Sequence, residues 1–211
     1  MAGEGPAGDA AGRSLTVDAE PYPWPWDRCF DPLRIALVLC GGQRFFADRT
    51  HDAVETVARI DALAAVLRER GALVVHLRHD GAHLAAEGRP RRAPVATDDD
   101  AAMVLTLDPH DLVVDCRGFD GCCGSTLELR LQLARRDLVV LAGLGLEGPV
   151  HSTMRSLNDR GVECLLLPDA SSPYDLDLGP RAVHSTTMSG GIFGAVSTVP
   201  ALLDALRART H

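Results

Sequence analysis

At 211 residues, 46% of them hydrophobic, the chain is long enough for one domain with a substantial core and short for two. A formal charge of −8 and a pI near 5.4 argue against nucleic acid or an anionic membrane as a partner, since either needs a clustered basic face. No apolar run approaches the ~20 residues of a membrane-spanning helix and the N-terminus carries no secretory pattern, so a cytoplasmic location is expected.

Residues 1–20 are rich in Gly, Ala and acidic groups without periodicity, which predicts a mobile tail preceding a single domain over 21–211. Next comes Pro21-Tyr22-Pro23-Trp24-Pro25-Trp26, held extended by its prolines while its aromatics demand burial, so it should lie across the domain or a subunit neighbour. From Ile35 onward short apolar runs alternate with amphipathic stretches, the pattern of βα units and a parallel sheet. Strands are predicted near 35–40, 72–78, 112–115, 138–142, 162–167 and 192–196. Helices are predicted over 50–69, where Val54, Val57, Ile60, Leu63 and Leu67 are spaced three and four apart, and over 125–135, 150–160 and 199–208. The segment 81–111 lacks periodicity and reads as a surface crossover or cover; its basic run 89–92, broken by Pro90 and followed by Asp98, Asp99 and Asp100, reads as solvated loop.

In a parallel sheet the loops beyond the C-terminal strand ends converge. Residues 40–44, 76–83, 116–124 and 143–151 should therefore meet in one crevice. Six cysteines in such a chain are free thiols rather than a disulfide framework. Adjacent Cys122 and Cys123 lack the Cys-x-x-Cys spacing of a structural zinc site, and Gly190, Gly191 and Gly194 match no phosphate loop. Neither a metal nor a cofactor is predicted.

The stretch 148–170, opening Gly148-Pro149-Val150-His151-Ser152-Thr153-Met154-Arg155 and closing Leu165-Leu166-Leu167-Pro168-Asp169-Ala170, resembles the isochorismatase-like cysteine hydrolases. Within them it is most similar to the branch of biuret amidohydrolase and N-carbamoylsarcosine amidase. Asp18-Ala19-Glu20-Pro21-Tyr22-Pro23-Trp24-Pro25 and Ser189-Gly190-Gly191-Ile192-Phe193-Gly194-Ala195-Val196 agree with the same branch, so the resemblance covers about 18–208. It implies a Rossmann-like three-layer α/β/α sandwich around a six-stranded parallel sheet, assembled as a homodimer or homotetramer. Active members of that family hydrolyse amides with an Asp on the first strand, a Lys after the third and a Cys at the start of a later helix.

Aligned on those motifs, Gly41 stands at the Asp, Cys116 at the Lys and Pro149 at the nucleophilic Cys, in a chain that contains no lysine. Proline supplies neither a thiol nor an N–H for an oxyanion, yet it fits the first turn of a helix. Gly41, Gly42, Cys116 and Cys122 are each smaller than the family residue they replace, which predicts a wider and more apolar crevice. Cys116 reads either as a relocated nucleophile, its pKa lowered by Arg117 and nearby histidines, or as small pocket lining. His76, with His79 and His83 beyond it, reads as a ligand-orienting or acid/base group, His76 alternatively as a strand-end histidine, and His151 as pocket group or packing group. Gln43, Arg44 and Arg78 are candidate donors to a carbonyl-bearing ligand.

The leading expectation is a protein without the hydrolase triad that binds a small organic molecule and guides a cyclisation, isomerisation or elimination in specialised-metabolite biosynthesis. His76 and Cys116 would be the catalytic candidates, and Gly41, Gly42, Gln43, Arg44, Arg78, Cys122, Pro149 and His151 the binding residues. A catalytically silent subunit or ligand sensor, and an amide hydrolase working through a relocated thiol, are the alternatives.

Overall fold

The structure, a computed structural model, describes residues 15–80 and 97–208. Residues 1–14 of the expected tail, His83 and the basic run 89–92 lie outside the described residues. Six strands, β1 (Ile35–Cys40), β2 (Leu73–Asp80), β3 (Leu112–Arg117), β4 (Leu138–Leu144), β5 (Glu163–Ser172) and β6 (Ala195–Val196), form one sheet in the order β3-β2-β1-β4-β5-β6. Every pairing is parallel. This is the doubly wound order, in which the chain reverses its direction of progress between β1 and β4 and leaves a crevice beyond their C-terminal ends.

The pleat sorts each strand's side chains onto two faces. On one, Ile35, Leu37 and Leu39 of β1 join Val140 and Ala142 of β4 against α2 (Ala53–Glu69) and the C-terminal helix Val199–Ala208. On the other, Ala36, Val38 and Cys40 join Val139 and Leu141 against the helices Leu127–Leu133 and His151–Asn158. β1 and β4 are buried along their whole length, as central strands covered on both faces should be. In chain order the helices are α1 (Arg44–Ala47), α2, α3 (Asp98–Ala101), α4 (Leu127–Leu133), α5 (His151–Asn158), α6 (Gly179–Gly191) and α7 (Val199–Ala208).

Three departures from the sequence pattern have clear causes. Residues 15–20, assigned to the tail, are instead packed: Val17 pairs antiparallel with Trp24, Glu20 pairs with Val196, and Val17 and Trp24 are both fully buried. Trp26, in the same aromatic segment, is 71% exposed and meets Tyr22 edge-on, so only part of that segment is buried. Helix α6 shows no apolar period because it buries only Gly179 and Thr186, and it breaks at Met188, Ser189 and Gly190.

On the α2 face an ionic network ties helix to sheet. Arg68, in the last turn of α2, donates from Nε and Nη2 to the two Asp111 oxygens at 2.9 and 2.6 Å. The Asp108 N–H donates to Asp111 at 3.0 Å, and His76 Nε2 lies 3.0 Å from the same carboxylate. Burial alone would raise the Asp111 carboxyl, but Arg68, the Asp108 N–H and His76 together hold it below the usual carboxylate range. The side chains of Asp111 and His76 are almost wholly enclosed, so removing the carboxylate leaves the part-buried Arg68 guanidinium and the enclosed His76 Nε2 without their partner. Asp111→Ala should lose about 3 kcal/mol or more of unfolding free energy in urea titrations; a loss under about 0.5 kcal/mol would show the network to be incidental.

Candidate functional site

The side-chain alternation of β2 decides what enters the crevice. Val75 and Leu77 face α4 and α5, and His79 shares their side, together with Cys116 of β3 and Cys40 of β1. His76 and Arg78 face the other way. His76 is taken up by Asp111, and Arg78 makes a two-pronged ion pair with Asp115 on the exposed surface, its Nη2 2.9 Å from Oδ2. The structure therefore does not bring His76 or Arg78 to Cys116; His79, one residue beyond Arg78, stands there instead.

His79 holds three strand ends together. Its Nε2 accepts from the Gly41 N–H at 3.1 Å beyond β1, its Nδ1 lies 2.9 Å from the Gly118 carbonyl beyond β3, and Cys116 Sγ lies 3.3 Å from the same Nδ1. An Nε2 that accepts fixes the tautomer with the proton on Nδ1, donating to Gly118. Burial lowers the His79 pKa from its ordinary 6.5 to about 4. Protonating Nε2 would also set one N–H against the Gly41 N–H. Phe46 meets the imidazole edge-on at 5.2 Å and touches Phe119 at 6.3 Å, and Phe119 is 43% exposed at the rim.

Gln43 does not face a ligand. Its Oε1 accepts from the His79 N–H at 2.8 Å and its Nε2 donates to the His79 carbonyl at 3.2 Å, so the whole amide brackets one backbone unit. Arg44 is exposed and pairs with Asp99 of α3, while its N–H donates to the Ala102 carbonyl. Residues 97–105 thus form a cover over 42–44, reinforced by an antiparallel bridge between Gln43 and Met103.

The predicted widening at Gly41 and Gly42 is not what the described residues show. Gly41 adopts φ +64°, and a Cβ there would stand 2.1 Å from the Leu144 carbonyl oxygen and 3.1 Å from Phe46. A Cβ on Gly42 would stand 2.7 Å from Leu105. The volume released by the missing side chains is filled by Phe46, Leu105 and the main chain of β4. Glycine at 41 is required by both the left-handed backbone and the close approach.

Burial keeps the thiols of Cys40, Cys116 and Cys122 protonated, and the first two are enclosed. Cys116 is 1% exposed, and burial, reinforced by Cys40 and Asp120, pushes its thiol well above the usual range. This is opposite to the expected lowering by Arg117 and histidines: among the described residues the imidazole in contact is that of His79, which is neutral. Cys40 is pushed by burial to about 12, against a hydrogen bond from Thr153, and Cys122 by burial to about 11.

Beyond β4 the chain enters a π-turn (Leu146–Val150) containing Pro149, which leads straight into α5. The first turns of α5 clasp the loop after β3: Thr153 Oγ1 accepts from the Gly121 N–H at 2.9 Å and Ser156 Oγ donates to Asp120 at 2.9 Å. His151 turns towards α6, its Nε2 2.8 Å from Ser185 Oγ and its ring 6.2 Å from Phe193, so it packs two helices together rather than entering the crevice. Tyr174 lies over the turn. Its hydroxyl would stand 2.6 Å from a Cβ on Gly145 and its ring 3.0 Å from one on Gly148, with Pro149 alongside. Both oxygens of Glu147 accept from the Tyr174 and Asp175 N–H groups and fix this segment. Tyr174 Oη is buried without a hydrogen-bond partner, and burial raises its pKa so that it stays an O–H.

Sequence reading missed His79 as the central group and Tyr174 altogether. His79 was within reach of the period-2 pleat, which sets it on the Val75 and Leu77 face. Tyr174 had no local signal, since only the path of the chain beyond β5 carries it to the turn before α5. Among the described residues no three His, Cys, Asp or Glu groups are placed to hold a metal ion. No helix among them is long and apolar enough to cross a membrane.

A parallel sheet in this order, with its crevice at the reversal between β1 and β4 and a turn leading into α5 at its rim, defines an α/β protein of Rossmann-like architecture. The chain belongs to the isochorismatase family, whose isochorismatase domain matches residues 35–200. It is 29% identical over 161 residues to a streptothricin hydrolase of Streptomyces noursei, a match covering 73% of this chain and 56% of that protein, so it spans little more than half of that relative's length. Among solved structures, a cysteine hydrolase from Pseudomonas syringae pv. phaseolicola 1448A superposes with a TM-score of 0.75 at 20% identity, over 85% of this chain and 95% of that one. A pyrazinamidase of Pyrococcus horikoshii in complex with zinc gives 0.69 at 22% identity, over 78% and 99%. At those identities the likeness is one of fold.

Two measurements probe the site. Alkylation with iodoacetamide at neutral pH, mapped by mass spectrometry, should label exposed Cys29 and Cys123 first and leave Cys40, Cys116 and Cys164 unmodified until the chain unfolds; preferential labelling of Cys116 would contradict the enclosed, protonated thiol. Unfolded His79 titrates near 6.5 and folded His79 near 4, so between those values the unfolded chain binds a proton that the folded chain refuses. Stability is therefore fully present above pH 6.5 and falls on acidification towards pH 4, with His79 accounting for on the order of 3 kcal/mol. Urea titrations across that window should show a shallower slope for His79→Gln than for the parent chain; equal slopes would remove His79 from the account.

Proposed function

We propose that this chain has left thiolate hydrolysis and holds a small carbonyl-bearing organic molecule at the crevice rim, where shape and one neutral donor guide a cyclisation, isomerisation or elimination in specialised-metabolite biosynthesis. The observation that carries this reading is Pro149 at the entry to α5. On the resemblance of 148–170 to the family the nucleophile is expected there, and proline offers neither sulfur nor an N–H for a developing oxyanion. The same resemblance sets Gly41 and Cys116 at the Asp and Lys positions, and on that reading none of the groups that would generate a thiolate is present. Losing one member of such a coupled set costs on the order of 10⁴ in rate.

The nearby groups that remain suit binding better than bond cleavage. Tyr174 Oη is a protonated donor, buried and without a partner, packed on the turn before α5 where Gly145 and Gly148 make room for its ring. A hydroxyl in that position can polarise a ketone or amide carbonyl without forming a covalent bond. A reaction within one bound molecule then needs mainly a fixed conformation. Cytoplasmic location and assembly as a homodimer or homotetramer belong to the same proposal.

A second reading, a catalytically silent subunit or ligand sensor, draws support from the filled space at Gly41 and Gly42. A relocated nucleophile at Cys116 is disfavoured by its enclosure and its raised pKa. Purified protein should show no turnover of biuret, nicotinamide or isochorismate, and Pro149→Cys alone should not create any, because Gly41 and Cys116 remain. Turnover by the parent chain at the rate of an ordinary family hydrolase would end the proposal. Nicotinamide, used as a carbonyl probe in NMR titration, should bind about 5-fold or more weakly to Tyr174→Phe, the loss of one hydrogen bond; absence of binding to the parent chain would favour the silent subunit.

A further inference from the structure

The opposite edge of the sheet carries a feature unrelated to the crevice. Three helices end there in the same way. After α2, the Gly71 N–H donates to Arg68 and the Ala72 N–H to Leu67, at 2.9 and 3.0 Å. After α5, the Gly161 N–H donates to Asn158 and the Val162 N–H to Leu157, at 2.8 and 3.1 Å. Both closures put glycine in the left-handed region, at φ +79° and +76°, as this helix ending favours. After α4 the bonds repeat, the Arg135 N–H to Gln132 at 3.0 Å and the Arg136 N–H to Leu131 at 2.9 Å, but the left-handed residue, at φ +55°, is Arg135. An arginine kept where the two neighbouring helices use glycine is a backbone outlier that calls for a use of its side chain.

That side chain lines a pocket of about 520 Å³ between the end of α4 and the turn leading into β5. Four arginines and two carboxylates border it. The carboxylates are already engaged: Glu128 accepts from Arg160 Nε at 3.1 Å, and Asp137 accepts from Arg34 Nε and Nη2 at 2.9 and 2.7 Å. Arg135 and Arg136 have no carboxylate among the described residues. Arg136 Nη2 donates to the Gly71 carbonyl at 3.2 Å, while its Nε–H is buried without any acceptor. A buried, unpaired N–H on a guanidinium is an exception in folded proteins, and it leaves Arg136 with donor capacity that its protein partners do not use. Leu131 and Val162 supply an apolar part of the lining.

We propose that this pocket is a binding site for a small organic oxyanion, a phosphate monoester or carboxylate whose acidic head meets Arg135 and Arg136 and whose apolar body lies on Leu131 and Val162. Planar guanidinium donors match either head group. The site stands at the far edge of the sheet from Pro149 and does not depend on the reading of the crevice.

Calorimetric titration of the full chain at low salt with phenyl phosphate, benzoate and inorganic phosphate tests this. Phenyl phosphate or benzoate should bind saturably with a Kd below about 10 mM, and whichever is tighter identifies the head group. Inorganic phosphate should bind more weakly than phenyl phosphate. Arg135→Gly should weaken binding about 10-fold or more, while raising Tm by roughly 2–4 °C because glycine relieves the left-handed backbone. A variant that folds better and binds worse separates recognition from folding. Absence of saturable binding, affinity unchanged in Arg135→Gly, or a lowered Tm in that variant would each overturn the proposal; inorganic phosphate binding as tightly as phenyl phosphate would overturn the apolar contact.

Discussion

The C-terminal edge of the sheet depends on one imidazole that must stay neutral. His79 accepts from the main chain beyond β1 and is bonded to the main chain beyond β3, with Gln43 bracketing its own peptide units. These bonds bring the ends of three strands to one point, and they hold only while Nε2 is an acceptor. A charge there would face a backbone donor in a site from which water is excluded. The residues around it follow from that demand: Phe46 closes one side, Cys116 is a small and uncharged neighbour, and Gly41 allows the main chain to present its N–H.

The same constraint shapes the chemistry available. A crevice whose central histidine is neutral and fully bonded cannot draw a proton from Cys116, and the thiol is in turn too enclosed to ionise. The ion pair of Arg68 and Asp111 is sorted to the other face, under α2, where the same carboxylate also meets His76 Nε2. Polar capacity left unused near the crevice rests with the hydroxyl of Tyr174 at the rim. Unused cationic capacity lies at the far edge, on Arg135 and Arg136. The two ends of the sheet thus offer different surfaces, one nearly free of charge and one able to take an anion.

How far the fold could be read from the sequence differs from element to element. The runs at 35–40 and 138–142 predicted central strands because burial on both faces demands unbroken apolar residues, and β1 and β4 match them closely. Helix α2 was legible from Ile60, Leu63 and Leu67, which do face the sheet, although Val54 in the same pattern is exposed at the first turn. Helix α6 was not legible, since a helix that buries little beyond a glycine and a threonine carries no apolar stripe. Of the candidate site residues, Gly41 and Cys116 meet His79, and Pro149 leads into α5 as its type suggested. Gln43, His76, Arg78 and His151 are occupied by His79, Asp111, Asp115 and Ser185 respectively, partners remote in sequence that no local pattern announces.

The sequence by itself determined the family and the parallel sheet, because hydrophobic period and motif order are properties of neighbours along the chain. The tertiary structure alone decided which polar groups are already satisfied and whether small side chains leave space. A glycine in place of a larger residue predicts a gap only if nothing moves in, and here the Leu144 carbonyl, Phe46 and Leu105 occupy it. Hydrogen-bond satisfaction and packing are settled between residues tens of positions apart, so neither can be summed from local sequence.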